Sequence, residues 1–181
     1  MRNSFYYAEG KHVDTDEIEN DFMNCRDISY LSQVMPMIEE FTEEGDTILE
    51  PFCGMGTTVI AAGLLGRKSI GIEIEPSRVE NLKEHIRKFE KDIKCPPEII
   101  CGDSLLVEFP KEVDAVITNV PYYGANALTP INDNNFYDIE CYDTYLEMIE
   151  KVIIRCSKSL KRKGYMILYC ENIRDLNGDM I

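Results

Sequence analysis

The segment Glu50-Pro51-Phe52-Cys53-Gly54-Met55-Gly56-Thr57-Thr58 is where residue types and spacing first suggest chemistry. Gly54 and Gly56 let a backbone turn sharply and approach a ligand with no Cβ in the way. A helix predicted to follow at Thr57 offers free N–H groups at its start. Such a turn can hold the carboxylate end of an amino-acid-like compound, as it holds phosphate in other proteins. Glu73, at the end of the next predicted strand, stands where nucleoside-binding sheets place the acid that accepts hydrogen bonds from ribose hydroxyls. Glu75 competes for that role, but alternation along the strand puts Glu73 on the side of the glycine loop. Gly102-Asp103-Ser104 closes a third predicted strand. A carboxylate there suits an adenine amino group, while the tripeptide taken alone is an everyday turn and helix cap.

Asn119-Val120-Pro121-Tyr122 is the reactive candidate. An exocyclic amino nitrogen is a poor nucleophile, because its lone pair is delocalised into the ring. It needs acceptors that hold both N–H groups and let the nitrogen pyramidalise. The side-chain oxygen of Asn119 and the backbone carbonyl of Val120 can form that pair. Pro121 fixes the backbone and removes a competing donor, and Tyr122 can stack on a flat ring. No residue stands out as a general base. An isolated N-x-P-Y is more simply a proline turn leaving a strand; here it gains weight by following a glycine loop, a ribose acid and a Gly-Asp turn in that order.

These segments need elements to carry them. Periodicity predicts a helix over Ser32–Phe41, with Pro36 either in its first turn or at a kink. Strands are predicted over Thr47–Glu50, Ser69–Ile74, Glu98–Cys101, Val113–Thr118 and Tyr165–Cys170. Helices are predicted over Thr57–Leu65, from Pro76 through Ile93 and over Tyr142–Leu160. The second helix carries Val79, Leu82, Ile86, Phe89 and Ile93 at helical spacing. The third carries a stripe of Tyr145, Leu146, Ile149, Val152, Ile153 and Cys156. Strands alternating with helices imply an α/β fold, a doubly wound, mostly parallel sheet with ligands at the carboxyl ends of the strands. Glu50–Gly56, Glu73, Gly102-Asp103 and Asn119–Tyr122 all fall at such ends and should share one crevice. The connection Tyr123–Asp138 is long for a compact domain and reads as a lid over the site or as a surface loop. Its Tyr123, Phe136 and Tyr137 could stack on a base or pack the loop down.

The chain has 181 residues, enough for one domain with a real core. Residues 1–26 read as a polar arm and residues 27–181 as the catalytic domain. The ending at Ile181, soon after the fifth predicted strand, suggests a domain truncated at its C-terminus. No apolar run reaches membrane-spanning length and no signal peptide precedes the domain, which predicts a soluble, cytoplasmic chain. Seven scattered cysteines and two histidines offer no metal-site spacing and predict reduced, mostly buried thiols. The net charge of −14 is unusual for a nucleic-acid enzyme, because phosphate contacts want a basic face. The compact basic stretch Lys158, Lys161, Arg162 and Lys163 reads as cations at a helix C-terminus before Gly164. A further recognition domain or partner subunit would then supply much of any nucleic-acid affinity.

Glu50–Thr58 resembles the S-adenosylmethionine (SAM) loop of the amino-methyltransferases, usually D-P-F-C-G-S-G-T-T. Asn119–Tyr122 resembles their (D/N/S)-P-P-Y motif, and Tyr142–Gly164 with its following strand is similar to the segment after that motif in DNA N6-adenine/N4-cytosine methyltransferases. The resemblance covers roughly residues 27–181 and implies a Rossmann-like class I SAM-dependent methyltransferase. It implies SAM contacts at Gly54, Gly56, Glu73 and Asp103, and a target amino group held by Asn119, Pro121 and Tyr122. With their neighbours, the candidate cofactor residues are Glu50, Pro51, Phe52, Gly54, Gly56, Thr57, Glu73, Asp103, Ser104 and Asn119; the candidate catalytic residues are Asn119, Val120, Pro121 and Tyr122. Three departures stand out. Glu50 replaces Asp, Val120 replaces the first Pro as in adenine-N6 enzymes that include ribosomal-RNA dimethyltransferases, and the SAM loop precedes the catalytic motif, the reverse of many DNA enzymes. The last departure admits RNA enzymes that share the loop, such as the guanosine-N2 tRNA methyltransferases. The resemblance as a whole implies a nucleic-acid substrate, DNA adenine N6 or cytosine N4 first. An RNA base is second and a small molecule or protein amide third, and a SAM-binding module without catalysis stands as the non-enzymatic alternative.

Overall fold

The structure is a computed structural model that describes residues 29–123, 136, 139 and 141–170. The polar arm, most of the Tyr123–Asp138 connection and the last residues lie outside the described residues.

The described elements run α1 (Leu31–Phe41), β1 (Thr47–Glu50), α2 (Thr57–Leu64), β2 (Lys68–Glu73), α3 (Pro76–Lys88), β3 (Glu98–Cys101), β4 (Val113–Asn119), α4 (Tyr142–Ser159) and β5 (Leu160–Tyr169). The five strands form one parallel sheet in the order β3-β2-β1-β4-β5. The chain winds outward from β1 through β2 to β3, then returns to β4 on the other side of β1. This reversal opens a crevice between the carboxyl ends of β1 and β4, the usual ligand position in doubly wound sheets.

Alternation along the strands divides the core in two. Ile48, Ala115 and Ile117 face a layer of Leu31, Val34 and Ile38 from α1, Val59 and Ile60 from α2, and Leu82 from α3. Leu49, Ile72 and Val116 face the other way, against Tyr145, Met148, Ile149, Val152 and Cys156 of α4. Helices therefore cover both faces, and the central strands β1 and β4 are apolar on both, as a buried parallel sheet requires. No helix among the described residues is long and apolar enough to cross a membrane.

Several local expectations are corrected. Of the two alternatives for Pro36, the first turn is excluded, because Pro36 lies inside α1. Tyr30 caps this helix, its N–H donating to Gln33 Oε1 at 3.0 Å. α3 stops at Lys88, so Phe89 and Ile93 are not helical; the chain turns because the N–H groups of Lys94 and Cys95 donate to the Gly63 carbonyl at the end of α2. In α4 Met148 is buried and Leu146 is exposed, because the buried stripe centres on 145, 148/149, 152 and 156. β5 begins at Leu160, which pairs with Val113, but the regular ladder resumes only at Tyr165 opposite Ala115. The intervening excursion takes Lys161–Lys163 off the helix terminus where the sequence placed them. Lys161 pairs with Asp114 at 2.6 Å, and Lys163 has a φ of 78°. This basic stretch lies at the amino-terminal end of the sheet, opposite the crevice. The six described cysteines are free; Cys53 and Cys156 are buried, but Cys101, Cys141 and Cys170 are exposed. Cys101 ends β3, Cys141 precedes α4 and Cys170 follows β5, where the chain surfaces.

Candidate functional site

The crevice is lined from four strand ends. β1 and its loop supply Glu50, Pro51, Phe52, Cys53, Gly54, Met55 and Thr57; β2 supplies Glu73; the turn after β3 supplies Asp103 and Ser104; β4 and its extension supply Asn119, Val120, Pro121 and Tyr122. The space, counted with the open solvent at its mouth, is about 940 Å³. All candidate catalytic residues line it, and so does every candidate cofactor residue except Gly56.

The two loop glycines do different jobs. Gly54 has a φ of 52°, and a Cβ there would meet nothing within 4 Å; its Cα faces open space in the crevice. Its N–H donates to Glu73 Oε2 at 2.8 Å, so the acid at the end of β2 shapes the loop. Gly56, with a φ of 86°, faces inward, and a Cβ would lie 2.0 Å from Leu82 Cδ1. It permits α2 and α3 to pack, and that is why it is absent from the crevice wall. Gly56→Ala is expected to lower stability by roughly 2–4 kcal/mol through strain and overpacking, read as a loss in chemical denaturation.

The acids are buried. Glu73 accepts from Gly54 and, through Oε1, from the Glu75 N–H at 2.9 Å; burial still raises its pKa. Glu75 instead pairs with Arg78 at 3.0 Å. Glu50 is 2% exposed, and its Oε1 is buried with no hydrogen-bond partner. Burial pushes its pKa up to about 8, against weaker help from Thr118, Thr58 and the Phe52 backbone. A carboxyl whose folded pKa lies above its unfolded value of 4.5 stabilises the fold below pH 4.5 and loses that contribution as pH rises through about 8. The unfolding midpoint of the free protein should therefore fall between pH 5 and 8, and Glu50→Gln should flatten that fall. An identical slope in the variant would remove Glu50 from the titration.

Asp103 Oδ1 accepts from the Leu105 N–H at 2.7 Å, the turn-cap role its surroundings allow. Ser104 Oγ donates to the Pro51 carbonyl, tying this turn to the glycine loop. Asn119 ends β4. Its Nδ2 donates to Ser29 Oγ at 3.3 Å, and its Oδ1 accepts from the Tyr122 hydroxyl at 3.4 Å. The Val120 N–H donates to the Tyr169 carbonyl at 3.2 Å, extending the sheet into the turn. Tyr123 packs on Tyr142 and Tyr145 with ring centroids 5.1 and 5.5 Å away, and Phe136 on Phe52 at 5.2 Å. Both rings are therefore engaged within the protein, and Phe136 also lines the crevice; Tyr137 lies outside the described residues.

Thr58, the last residue of the glycine segment, also lines the crevice, as do Ser29, Arg78 and Tyr169, which were not singled out in the sequence. Ser29 lies 90 residues from Asn119, with no spacing to connect them. Tyr169 left no signal either: β5 ends the order of the described sheet and has no fully buried residue, and only the fold brings its hydroxyl to Thr58 Oγ1 at 3.3 Å.

A family described as DNA methylase matches residues 33–84. The "Probable tRNA (guanine(10)-N2)-dimethyltransferase" of Methanothermococcus thermolithotrophicus is 34% identical over 121 residues, covering 58% of this chain and 69% of that protein. The chain belongs to the SAM-dependent amino-methyltransferases. Other relatives of this amino-methyltransferase are much longer. The "Probable ribosomal RNA small subunit methyltransferase A" of Methanosarcina acetivorans is 34% identical over 103 residues, 57% of this chain but 35% of that protein. The "Type II methyltransferase M.BamHI" of Bacillus amyloliquefaciens is 37% identical over 76 residues, 42% of this chain and 17% of that protein. The chain thus spans about a third or less of those two relatives. Among solved structures, TrmN from Thermus thermophilus superposes with a TM-score of 0.60 at 15% identity, over 77% of this chain and 38% of that one. That likeness establishes the Rossmann-like class I methyltransferase fold.

SAM is the methyl donor of this family, and the amino-methyltransferase's crevice suits it. The unpartnered Glu50 oxygen offers an acceptor to a cationic amino-acid head, and the open space at Gly54 admits a ligand against bare backbone.

Proposed function

We propose that this chain transfers a methyl group to an exocyclic amino nitrogen of a nucleic-acid base. The observation that carries the reading is the convergence of the Glu50–Thr57 loop and the Asn119–Tyr122 turn on one crevice. SAM would supply a methyl group on a sulfonium, with a neutral thioether as leaving group, and the methylated nitrogen then gives up its extra proton to water.

The protein's task is positioning for in-line attack. Glu50 and the backbone at Gly54 hold the amino-acid end of the cofactor. Glu73, fixed by two backbone N–H groups, keeps its remaining lone pairs for ribose hydroxyls, and Asp103 serves the adenine. Pro51, Phe52, Thr57 and Ser104 complete that wall. On the acceptor side, Asn119 Oδ1 and the Val120 carbonyl accept from the target amino group, which displaces the long Tyr122–Asn119 hydrogen bond. Pro121 holds the turn and Tyr122 stacks on the base. Ser29 supports this assignment: an Asn119 Nδ2 that donates to Ser29 Oγ leaves Oδ1 as the acceptor facing the crevice. Ser29→Ala should lower turnover about 5–10-fold, the worth of one hydrogen bond, with SAM affinity unchanged by calorimetry.

Adenine N6 or cytosine N4 in DNA is supported by the DNA methylase match and the type II relative. A guanine or adenine amino group in RNA is supported by alignments that run further along the chain, 121 and 103 residues against 76. In either case a paired base would have to be flipped out of its stack to reach Tyr122. The acidic surface and the basic stretch at the far end of the sheet leave phosphate binding to another segment or a partner subunit. The deciding experiment supplies radiolabelled SAM to unmethylated DNA, total RNA and a protein extract in parallel, with nucleoside analysis of labelled product. Label in N6-methyladenine or N4-methylcytosine selects DNA, and label in methylated RNA nucleosides selects RNA. Label in protein alone, or none with SAM bound, overturns the proposal.

A further inference from the structure

One side chain from outside the Asn119–Tyr122 turn grips it directly. The Tyr145 hydroxyl, from the first turn of α4, donates to the Pro121 carbonyl at 2.6 Å. Its ring is 8% exposed. It stacks on Tyr142 with centroids 5.8 Å apart and planes 19° apart, tilts against Tyr123 at 5.5 Å and meets Phe136 edge-on at 6.2 Å. These contacts fix the ring and so aim the hydroxyl. Burial pushes its pKa up to about 12, which keeps it a protonated donor throughout the neutral range.

The effect on the turn follows from backbone geometry. The pyrrolidine ring already fixes φ of Pro121. The direction of its carbonyl depends on ψ, the one soft dihedral left at this residue. A hydrogen bond that anchors the carbonyl fixes ψ, and with it the position of the Tyr122 Cα and ring. On the other side the Val120 N–H is anchored by the Tyr169 carbonyl. The turn is therefore held by β5 before the proline and by α4 after it.

We propose that Tyr145 is a positioning residue for methyl transfer, its hydroxyl holding the Val120 carbonyl and the Tyr122 ring in register with Asn119 through the Pro121 carbonyl. This rests on the acceptor role given to the turn above. The plainer account is a buried tyrosine that satisfies its hydroxyl on the nearest carbonyl. The two accounts differ in what the loss of the hydroxyl changes: stability alone, or turnover at constant cofactor affinity.

Tyr145→Phe removes the hydroxyl and keeps the ring. It is expected to lower kcat about 10-fold, the worth of one well-made hydrogen bond, with the Kd for SAM within twofold and the unfolding midpoint near that of the wild type. Tyr142→Phe, which keeps the stacked ring, is expected to match wild type throughout. Independently of activity, the ¹³C resonance of the Pro121 carbonyl and the ¹⁵N resonance of the Tyr122 amide should shift in Tyr145→Phe and stay in place in Tyr142→Phe. Undiminished kcat on an active wild type overturns the proposal, as does a kcat loss matched by an equal loss of SAM affinity. A wild type that transfers no methyl group to any acceptor fails the acceptor reading instead. The two resonances then decide the anchor alone: unmoved, it is overturned, and shifted, it stands.

Discussion

Asn119→Ala should leave the Kd for SAM within about threefold while methyl transfer falls roughly 100–1000-fold, the usual loss when a hydrogen-bonding group aimed at the reacting centre is removed. The two effects separate because Asn119 ends β4, across the sheet's switch point from the glycine loop at the end of β1. Truncation also releases Tyr122, whose hydroxyl donates to Asn119 Oδ1, so ring placement suffers together with the acceptor. Asn119→Asp retains an oxygen at the same position and should recover part of the rate. Calorimetry with SAM and single-turnover transfer to the acceptor selected above measure both halves. If turnover persists in Asn119→Ala, the amino group is held by something else and the role given to this side chain is wrong.

The second large effect is expected at Gly54. A leucine there projects a side chain into the open side of the crevice, since a Cβ meets no protein atom within 4 Å. SAM affinity should drop at least about 100-fold, beyond what loss of a single hydrogen bond explains. The left-handed φ of 52° adds strain of about 1–2 kcal/mol, so a modest loss of stability accompanies it. The comparison with Gly56→Ala is the informative one. Two glycines two residues apart should divide cleanly, one change removing binding from a folded protein and the other weakening the fold. Calorimetric titration of Gly54→Leu with SAM decides the matter, and retained affinity would sink the assignment of this loop.

The extent to which the sequence disclosed this arrangement varied with the range of the interaction. β1 over Thr47–Glu50 and β3 over Glu98–Cys101 were legible to the residue, because short apolar runs between turn residues leave little choice. Asn119 was legible as a strand-end residue for the same reason. The division of labour between Gly54 and Gly56 was not, because it depends on Leu82, a residue on another helix. Nor was Ser29, whose contact with Asn119 spans 90 residues. Lys161–Lys163 were misplaced because cations before a glycine are the ordinary ending of a helix. Here Leu160 had already joined the sheet opposite Val113, and Lys161 was drawn to Asp114. Phe89 and Ile93 keep helical spacing, yet the chain turns at Phe89 to reach the Gly63 carbonyl.

The contact between β1 and β4 has a wider meaning. Their pairing rests on Ile48 opposite Ala115 and Leu49 opposite Val116, and it sets the donor half and the acceptor half of the crevice edge to edge. Nothing in that seam depends on which half the ribosome makes first. A gene with the two halves exchanged, joined by any linker able to span the sheet, would encode the same chamber. The linear order of the two motifs is therefore not dictated by the chamber, and chains of opposite order can share one chemistry.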